Sequence, residues 1–274
     1  MNINNIMIFT DLDGSLLNHD NFDFKKIKSF ILQCLSIGIK IIPNSSKTKK
    51  EIDFFCDQLG ERLPYIVENG SAIHNIDIVS SDFKEVNNSL VFSRTVEEIL
   101  EIILKEVPKN LIDKCSFVKD MNRKMQKQTL GLSEEFLPLA LNRDYSIPFT
   151  FNGSYQIINE FKLILEKLDL KLHEGGRVFN ISDNCSKGSA MKTLVSKVKK
   201  DISLNPYIIV VGDSPNDISM LEEANQPCVV PLPNKCNLKD LKFNNILRAK
   251  QSAPEGWEEV IRLSLKKIDI NLMG

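Results

Sequence analysis

At 274 residues the chain has room for one large domain or two, and either way it can bury a real core. Its 42% hydrophobic and 26% charged residues match soluble globular chains and argue against both disorder and membrane insertion. Thirty-five Lys and Arg against 36 Asp and Glu leave a formal net charge of -1, so no global field draws it to nucleic acid or to a membrane surface.

The opening MNINNIMIFTDLDG has no basic region ahead of an apolar stretch, and acid follows too early for a signal peptide. No apolar run approaches transmembrane length. The six cysteines include no CxxC pair and the three histidines lie far apart, so zinc-site spacing is absent. A cytoplasmic protein with unpaired thiols is the expectation.

In chain order, IMIFT from Ile6 to Thr10 reads as a buried strand that stops at acid and glycine. Ile27, Phe30, Ile31, Cys34 and Leu35 recur at helical spacing, with Asp23 as N-cap and Gly38 as the stop. IKIIPN is a second strand, and Thr48 with Glu51 forms a capping-box pattern for a helix ending near Gly60. PYIVEN is a third strand. This alternation predicts a parallel sheet covered by helices. Between about Asp82 and Asp183 the rhythm changes: a helix opens on a capping box from Thr95 to Glu98, and a second carries Ile158, Phe161, Ile164, Leu165 and Leu168. IPFTF from Ile147 and RVFNI from Arg177 are strand candidates. The alternation then resumes with a helix near Lys187, the strand YIIVVGD and a helix near Asn216. The expected architecture is α/β: a Rossmann-like parallel-sheet core from residues 1–81 and 184–274, interrupted by an α+β domain over 82–183.

The chemistry-bearing segments fall at predicted strand ends, where open parallel sheets place their ligand crevice. DLDGS puts Asp11 and Asp13 after the first strand; alone it is weak, because acids also follow strands as turn formers. GDSPND adds Asp213, Asn216 and Asp217 after the late strand. Four carboxylates at neighbouring strand ends repel unless a cation is present, and a hard divalent ion with oxygen ligands, such as magnesium, removes the conflict. NSSKT sets Ser45 and Ser46 where a helix N-terminus offers amides to an anion, although either serine can serve simply as a cap. Lys187 opens a helix, where a cation opposes the helix dipole, and that placement suits a phosphate ligand.

In the order DxDG(T/S), Ser/Thr, Lys, GDxxxD, these segments resemble the four motifs of the haloacid dehalogenase superfamily, and the insertion resembles the cap (C2B type) of its subclass IIB. SSKT, PYIVENGSAI, RDYSIPF, EGGRVF and APEGWEEVI are similar to segments of its mannosyl-3-phosphoglycerate phosphatase group. Two positions depart: Ser15 stands where threonine is usual, and Asn180 where the group commonly has histidine. The resemblance implies a magnesium-dependent phosphatase acting on a small-molecule phosphate ester. Asp11 would be the nucleophile, Asp13 the general acid and base, and Ser45 with Lys187 the phosphoryl ligands. Asp11, Asp13 (through its carbonyl), Asp213, Asn216 and Asp217 would form the metal site and its surroundings. Ser46, Lys47, Arg143, Gly175, Gly176 and Arg177 would bind substrate, with Arg177 leading as partner of a glycerate carboxylate. The implied substrate is mannosyl-3-phosphoglycerate, with the glucosyl compound and other sugar phosphates as alternatives. A receiver-like signalling module also combines a strand-end aspartate, acids, a hydroxyl and a lysine, but lacks an Asp13 and the large insertion.

Overall fold

The computed structural model describes residues 3–80, 88–175, 177–202, 205–233, 238, 241, 243, 245–270 and 272. The expected boundary after residue 81, Cys236 and the candidate ligand Gly176 lie outside them. The chain divides into two compact units: Met1–Ser45, Cys56–Leu90 and Ser186–Gly274 form the first, Ser46–Phe55 and Val91–Cys185 the second.

In chain order, β1 (Ile6–Thr10), α1 (Lys28–Ser36), β2 (Lys40–Pro43) and α2 (Lys49–Leu59) are followed by three short strands, β3 (Tyr65–Val67), β4 (Ala72–His74) and β5 (Ser89–Val91). Then come α3 (Val96–Glu106), α4 (Lys109–Ile112), β6 (Cys115–Phe117), α5 (Arg123–Leu130), α6 (Leu137–Leu141), β7 (Ile147–Phe151), α7 (Tyr155–Lys167), β8 (Leu170–Glu174) and β9 (Phe179–Asp183). The chain closes with α8 (Lys187–Ile202), β10 (Tyr207–Gly212), α9 (Ile218–Leu221), β11 (Gln226–Val229), β12 (Leu247–Arg248) and α10 (Glu255–Lys266).

In the first unit the sheet runs β12-β11-β10-β1-β2, and every pair is parallel. All five residues of β1 are buried, because helices cover both faces and leave no polar alternation. On one face Met7, Phe9, Ile42 and Val210 pack with Met191, Leu194, Val195 and Val198 of α8. Near α10, Phe30 of α1 meets the fully buried Trp257 edge-on, with ring centroids 6.1 Å apart. The chain leaves β1 towards β2 on one side and later returns to β10 on the other. Strand order therefore reverses between β1 and β10, the point at which sheets of this kind place a ligand crevice outside the carboxyl ends of their strands.

One expectation needs correction. PYIVEN does form β3, but β3 does not continue the parallel ladder: it pairs antiparallel with β4, in the order β3-β4-β5, and touches β2 through a single parallel bridge, Asn44 to Ile66. The turn residues after Val67 reverse the chain within a few positions, which a helical crossover would not do.

In the second unit the sheet β6-β7-β9-β8 is antiparallel. Phe149, Ile147 and Ile181 from one of its faces form a core with Ile99 and Ile103 of α3 and Ile158, Phe161 and Leu165 of α7. Thr95 and Glu98 make both bonds of the expected capping box at the start of α3. The expected strand from Arg177 begins at Phe179.

Candidate active site

Asp11 directly follows β1, and its N–H donates to Val211 O of β10 at 2.9 Å, so the ladder itself sets its position. The turn behind it is tight: Ser15, Leu16 and Leu17 all donate to Leu12 O. Gly14 stands at φ +84°, and a Cβ there would lie 3.3 Å from Asp213 Oδ2, so glycine lets the turn approach the second acidic segment. Ser15 Oγ donates to Asp213 Oδ1 at 2.9 Å. The hydroxyl at this position thus has a defined partner.

Lys187 is the organising cation. Fully buried at the start of α8, it donates from Nζ to Asp11 Oδ1 and to Asp217 Oδ1, each at 2.6 Å. Burial disfavours its charge, but the two carboxylates more than offset that and hold the ammonium above its ordinary value. The unfavourable helix dipole is overcome in the same way. Burial pushes the Asp11 carboxyl up to about 6, against the pull of Lys187 and with the push of Asp217 and Asp13. Asp213 is raised well above the carboxylate range by burial and then by Asp11 and Asp217.

Asp11, Asp213 and Asp217 present oxygens that all lie within 4.8 Å of one another. A buried, oxygen-only donor set in which burial has made Asp11 and Asp213 reluctant to ionise fits a hard divalent cation, because the cation restores their charged forms. Within the set the roles differ. Asp217 Oδ2 accepts from Asp213 N at 3.0 Å, Ser214 N at 3.1 Å and Ser214 Oγ at 3.3 Å, while its Oδ1 takes Lys187. Both oxygens of Asp217 are therefore spent on shaping the loop and holding the lysine. Asn216 accepts from Ser214 Oγ at 2.6 Å and donates to Asn69 Oδ1 at 3.1 Å.

Ser45 is buried just past β2, and its N–H donates to Ile66 O at 3.1 Å. The preceding Asn44 donates its backbone N–H to Thr10 O at 2.8 Å, which brings this segment alongside the start of DLDGS. Asp13 is half-buried at the end of the same short acidic segment as Asp11.

The remaining sequence candidates lie in the second unit. Lys47 Nζ donates to Glu51 Oε1 at 3.1 Å, both side chains being buried, and Arg143 Nη1 donates to Ser46 O at 3.2 Å and Ser146 Oγ at 2.9 Å. Burial alone would raise Glu51, but Lys47, Arg143 and the Thr48 N–H hold it below the usual carboxylate range. Gly175 closes the β8–β9 hairpin, where a Cβ would lie 2.7 Å from Val178 O. Arg177 is exposed and donates from Nη1 to Leu130 O at 2.6 Å and Gly131 O at 3.3 Å, at the C-terminal end of α5. Arg143 and Arg177 thus reach different partners. Asn180 lies on β9 opposite Pro148 and His173, and its buried Oδ1 has no hydrogen-bond partner among the described residues.

Sequence reasoning passed over three supports. Asn44 Nδ2 donates to Lys187 O at 3.0 Å. The Trp257 indole N–H donates to Thr10 Oγ1 at 3.0 Å, and Thr10 Oγ1 donates to Asp11 O at 2.7 Å, so α10 braces the end of β1. Asn69, in the turn after β3, meets Asn216. The NG dipeptide at Asn69 and Gly70 is a turn signal that could have located this turn, though not what it touches.

Known proteins show the same pattern along almost the whole chain. Glucosyl-3-phosphoglycerate/mannosyl-3-phosphoglycerate phosphatase of Persephonella marina is 30% identical over 270 residues, covering 96% of this chain and 98% of that protein. The Methanococcoides burtonii protein of the same name is 26% identical over 260 residues, covering 93% and 95%. In fold, the chain superposes on sucrose-phosphatase from Synechocystis sp., solved with sucrose and phosphate, with a TM-score of 0.60 at 13% identity over 97% of this chain and 98% of that one. The haloacid dehalogenase-like hydrolase family matches residues 8–231, spanning both acidic segments and the lysine between them, and the chain belongs to that family.

Proposed function

We propose that this chain is a phosphoric monoester hydrolase that uses magnesium to release phosphate from a glycosyl-3-phosphoglycerate in the cytoplasm, through a phosphoryl intermediate on Asp11. The observation that carries the chemistry is Lys187 bonded to both Asp11 and Asp217 at 2.6 Å beside Asp213. The substrate rests on the shared name of two relatives that match over nearly their full length.

Phosphate monoesters resist attack because their anionic oxygens repel nucleophiles, so charge must be neutralised and the attack held in line. Asp11, Asp213 and the Asp13 carbonyl would hold a magnesium ion, which would supply positive charge to offset that of the phosphoryl oxygens. Lys187 adds a second positive charge and holds the Asp11 carboxylate in place, and Ser45 holds the phosphoryl group. An Asp11 oxygen attacks phosphorus while the ester P–O bond breaks, and Asp13 gives its proton to the leaving alkoxide. Asp13 then takes a proton from water as that water attacks phosphorus, which releases inorganic phosphate and frees Asp11. The atoms balance as ester plus water to alcohol plus phosphate.

For the leaving group, the exposed Arg177 guanidinium is suited to two-point binding of a glycerate carboxylate. The test is phosphate release from mannosyl- and glucosyl-3-phosphoglycerate, hexose phosphates and p-nitrophenyl phosphate, with and without magnesium. The two glycosyl phosphoglycerates are expected to lead, the mannosyl compound first, and only with the metal. A preference for simple hexose phosphates overturns the substrate assignment. Arg177→Ala is expected to cost about 2 to 4 kcal/mol in kcat/KM on the glycosyl substrate and far less on p-nitrophenyl phosphate. Equal losses on both would assign Arg177 to the end of α5 alone.

A further inference from the structure

The turn between β3 and β4 is built against ordinary backbone preference. Glu68, Asn69 and Gly70 stand in succession at φ +46°, +61° and +103°. Glycine adopts this region freely and asparagine tolerates it, but for Glu68 it is a cost that persists only where the surroundings impose it. Glu68 and Asn69 are 1% and 2% exposed, so the turn is buried, unlike most hairpin turns. It is closed internally, with Gly70 N and Ser71 N donating to Val67 O at 3.0 Å each and Ser71 Oγ donating to Glu68 O at 2.8 Å.

Outwardly the turn touches three of the four chemistry-bearing segments. Asn69 N–H donates to Ser45 O at 2.9 Å. Gly70 lies so close to the start of α8 that a Cβ would stand 2.2 Å from Ser186 O and 3.1 Å from Lys187 N. Asn69 Oδ1 accepts from Asn216 Nδ2 at 3.1 Å, and the other end of that amide, Oδ1, accepts from Ser214 Oγ at 2.6 Å. The Asn216 side chain is thus clamped at both ends, and the loop that carries Asp213 is pinned from outside by Asn69 as it is from inside by Asp217.

We infer that Asn69 is a positioning residue for the metal site: through Asn216 it holds the 213–217 loop in the shape that presents Asp213 to a divalent cation. Asn69 itself touches none of the three acids' donor atoms in this assignment; it acts on the loop. The inference rests on reading the acidic cluster as a magnesium site, and the experiment separates the two.

Asn69→Gly keeps the left-handed backbone and removes the whole carboxamide, the acceptor for Asn216 included. Magnesium alone is titrated into the wild type, Asn69→Gly, Asn216→Ala and the double variant by calorimetry, with no substrate present. Asn69→Gly is expected to bind magnesium about tenfold more weakly, the low end of the scale for losing a support outside the metal ligands themselves. Asn216→Ala is expected to lose as much, and the double variant no more than either alone, because both changes break one connection. Asn69→Asp, which keeps both an acceptor oxygen and the left-handed backbone, is expected to bind within about threefold of the wild type and serves where the glycine variant folds poorly. Wild-type affinity in Asn69→Gly, additive losses in the double variant, or a tenfold loss in Asn69→Asp each overturn the inference. A wild type that takes up no magnesium overturns the metal reading and the inference with it.

Discussion

Lys187 shows how one side chain can be both costly and required. An ammonium with no exposed surface is tolerable only because Asp11 and Asp217 each bond it, and the same contact holds Asp11 at the end of β1. Replacing it with the similarly shaped methionine leaves buried carboxylates facing one another. Lys187→Met is expected to lower stability by about 3 to 5 kcal/mol in urea unfolding at neutral pH, besides abolishing turnover. Asp11→Asn should behave in the opposite way in the folding assay. Burial has already pushed that carboxyl up to about 6, so an uncharged amide of nearly equal size relieves repulsion from Asp213 and Asp217. Its melting temperature is expected to equal or exceed that of the wild type while phosphatase activity falls on the order of 10³-fold or more. An Asp11→Asn variant that melts well below the wild type would show that the carboxylate is needed for folding.

At the scale of the element, α2 illustrates a signal that was legible and a consequence that was not. Thr48 and Glu51 form the expected capping box: Glu51 Oε2 accepts from Thr48 N at 2.9 Å and Thr48 Oγ1 accepts from Glu51 N at 3.2 Å. The sequence pattern could not show that Glu51 is also buried against Lys47 and Arg143, because Arg143 comes from a segment distant in sequence. Glu51→Gln keeps an oxygen for the cap and loses the charge, and is expected to cost about 2 to 4 kcal/mol at pH 7. The pH sign follows from the direction of the shift. Folding holds Glu51 below its ordinary 4.5, so its contribution is complete above that value and is lost as pH falls through the folded-state value. The stability gap between wild type and Glu51→Gln should therefore narrow in acid. A gap that is unchanged from neutral pH down to pH 3 would remove the charge from the explanation.

At the scale of the whole molecule, each of two cores is confined to one unit, and the acids with Lys187 all belong to the first. Phe149→Ala in the second core is expected to cost about 3 to 5 kcal/mol of that unit's stability, yet magnesium affinity at a temperature where the variant is folded should stay within about twofold of the wild type. A larger change in affinity would mean that the two cores do not respond separately. The alternation of IMIFT, IKIIPN and YIIVVGD with amphipathic stretches was enough to specify parallel strands β1, β2 and β10, because strands buried on both faces must be apolar throughout. The acids of DLDGS and GDSPND were legible for the same reason: strand ends are set by where apolar runs stop. The place of β3 was not legible, since a three-residue apolar strand suits a parallel or an antiparallel neighbour equally and only pairing decides. Nor were the partners of Arg177, the bond from Trp257 to Thr10, or the meeting of Asn69 with Asn216 across 147 positions. Spacing along the chain determined which groups this protein has and at which strand ends they sit. Tertiary structure alone decided which of them share a hydrogen bond, because a hydrogen bond is fixed by distances of a few tenths of an ångström between segments that local sequence does not relate.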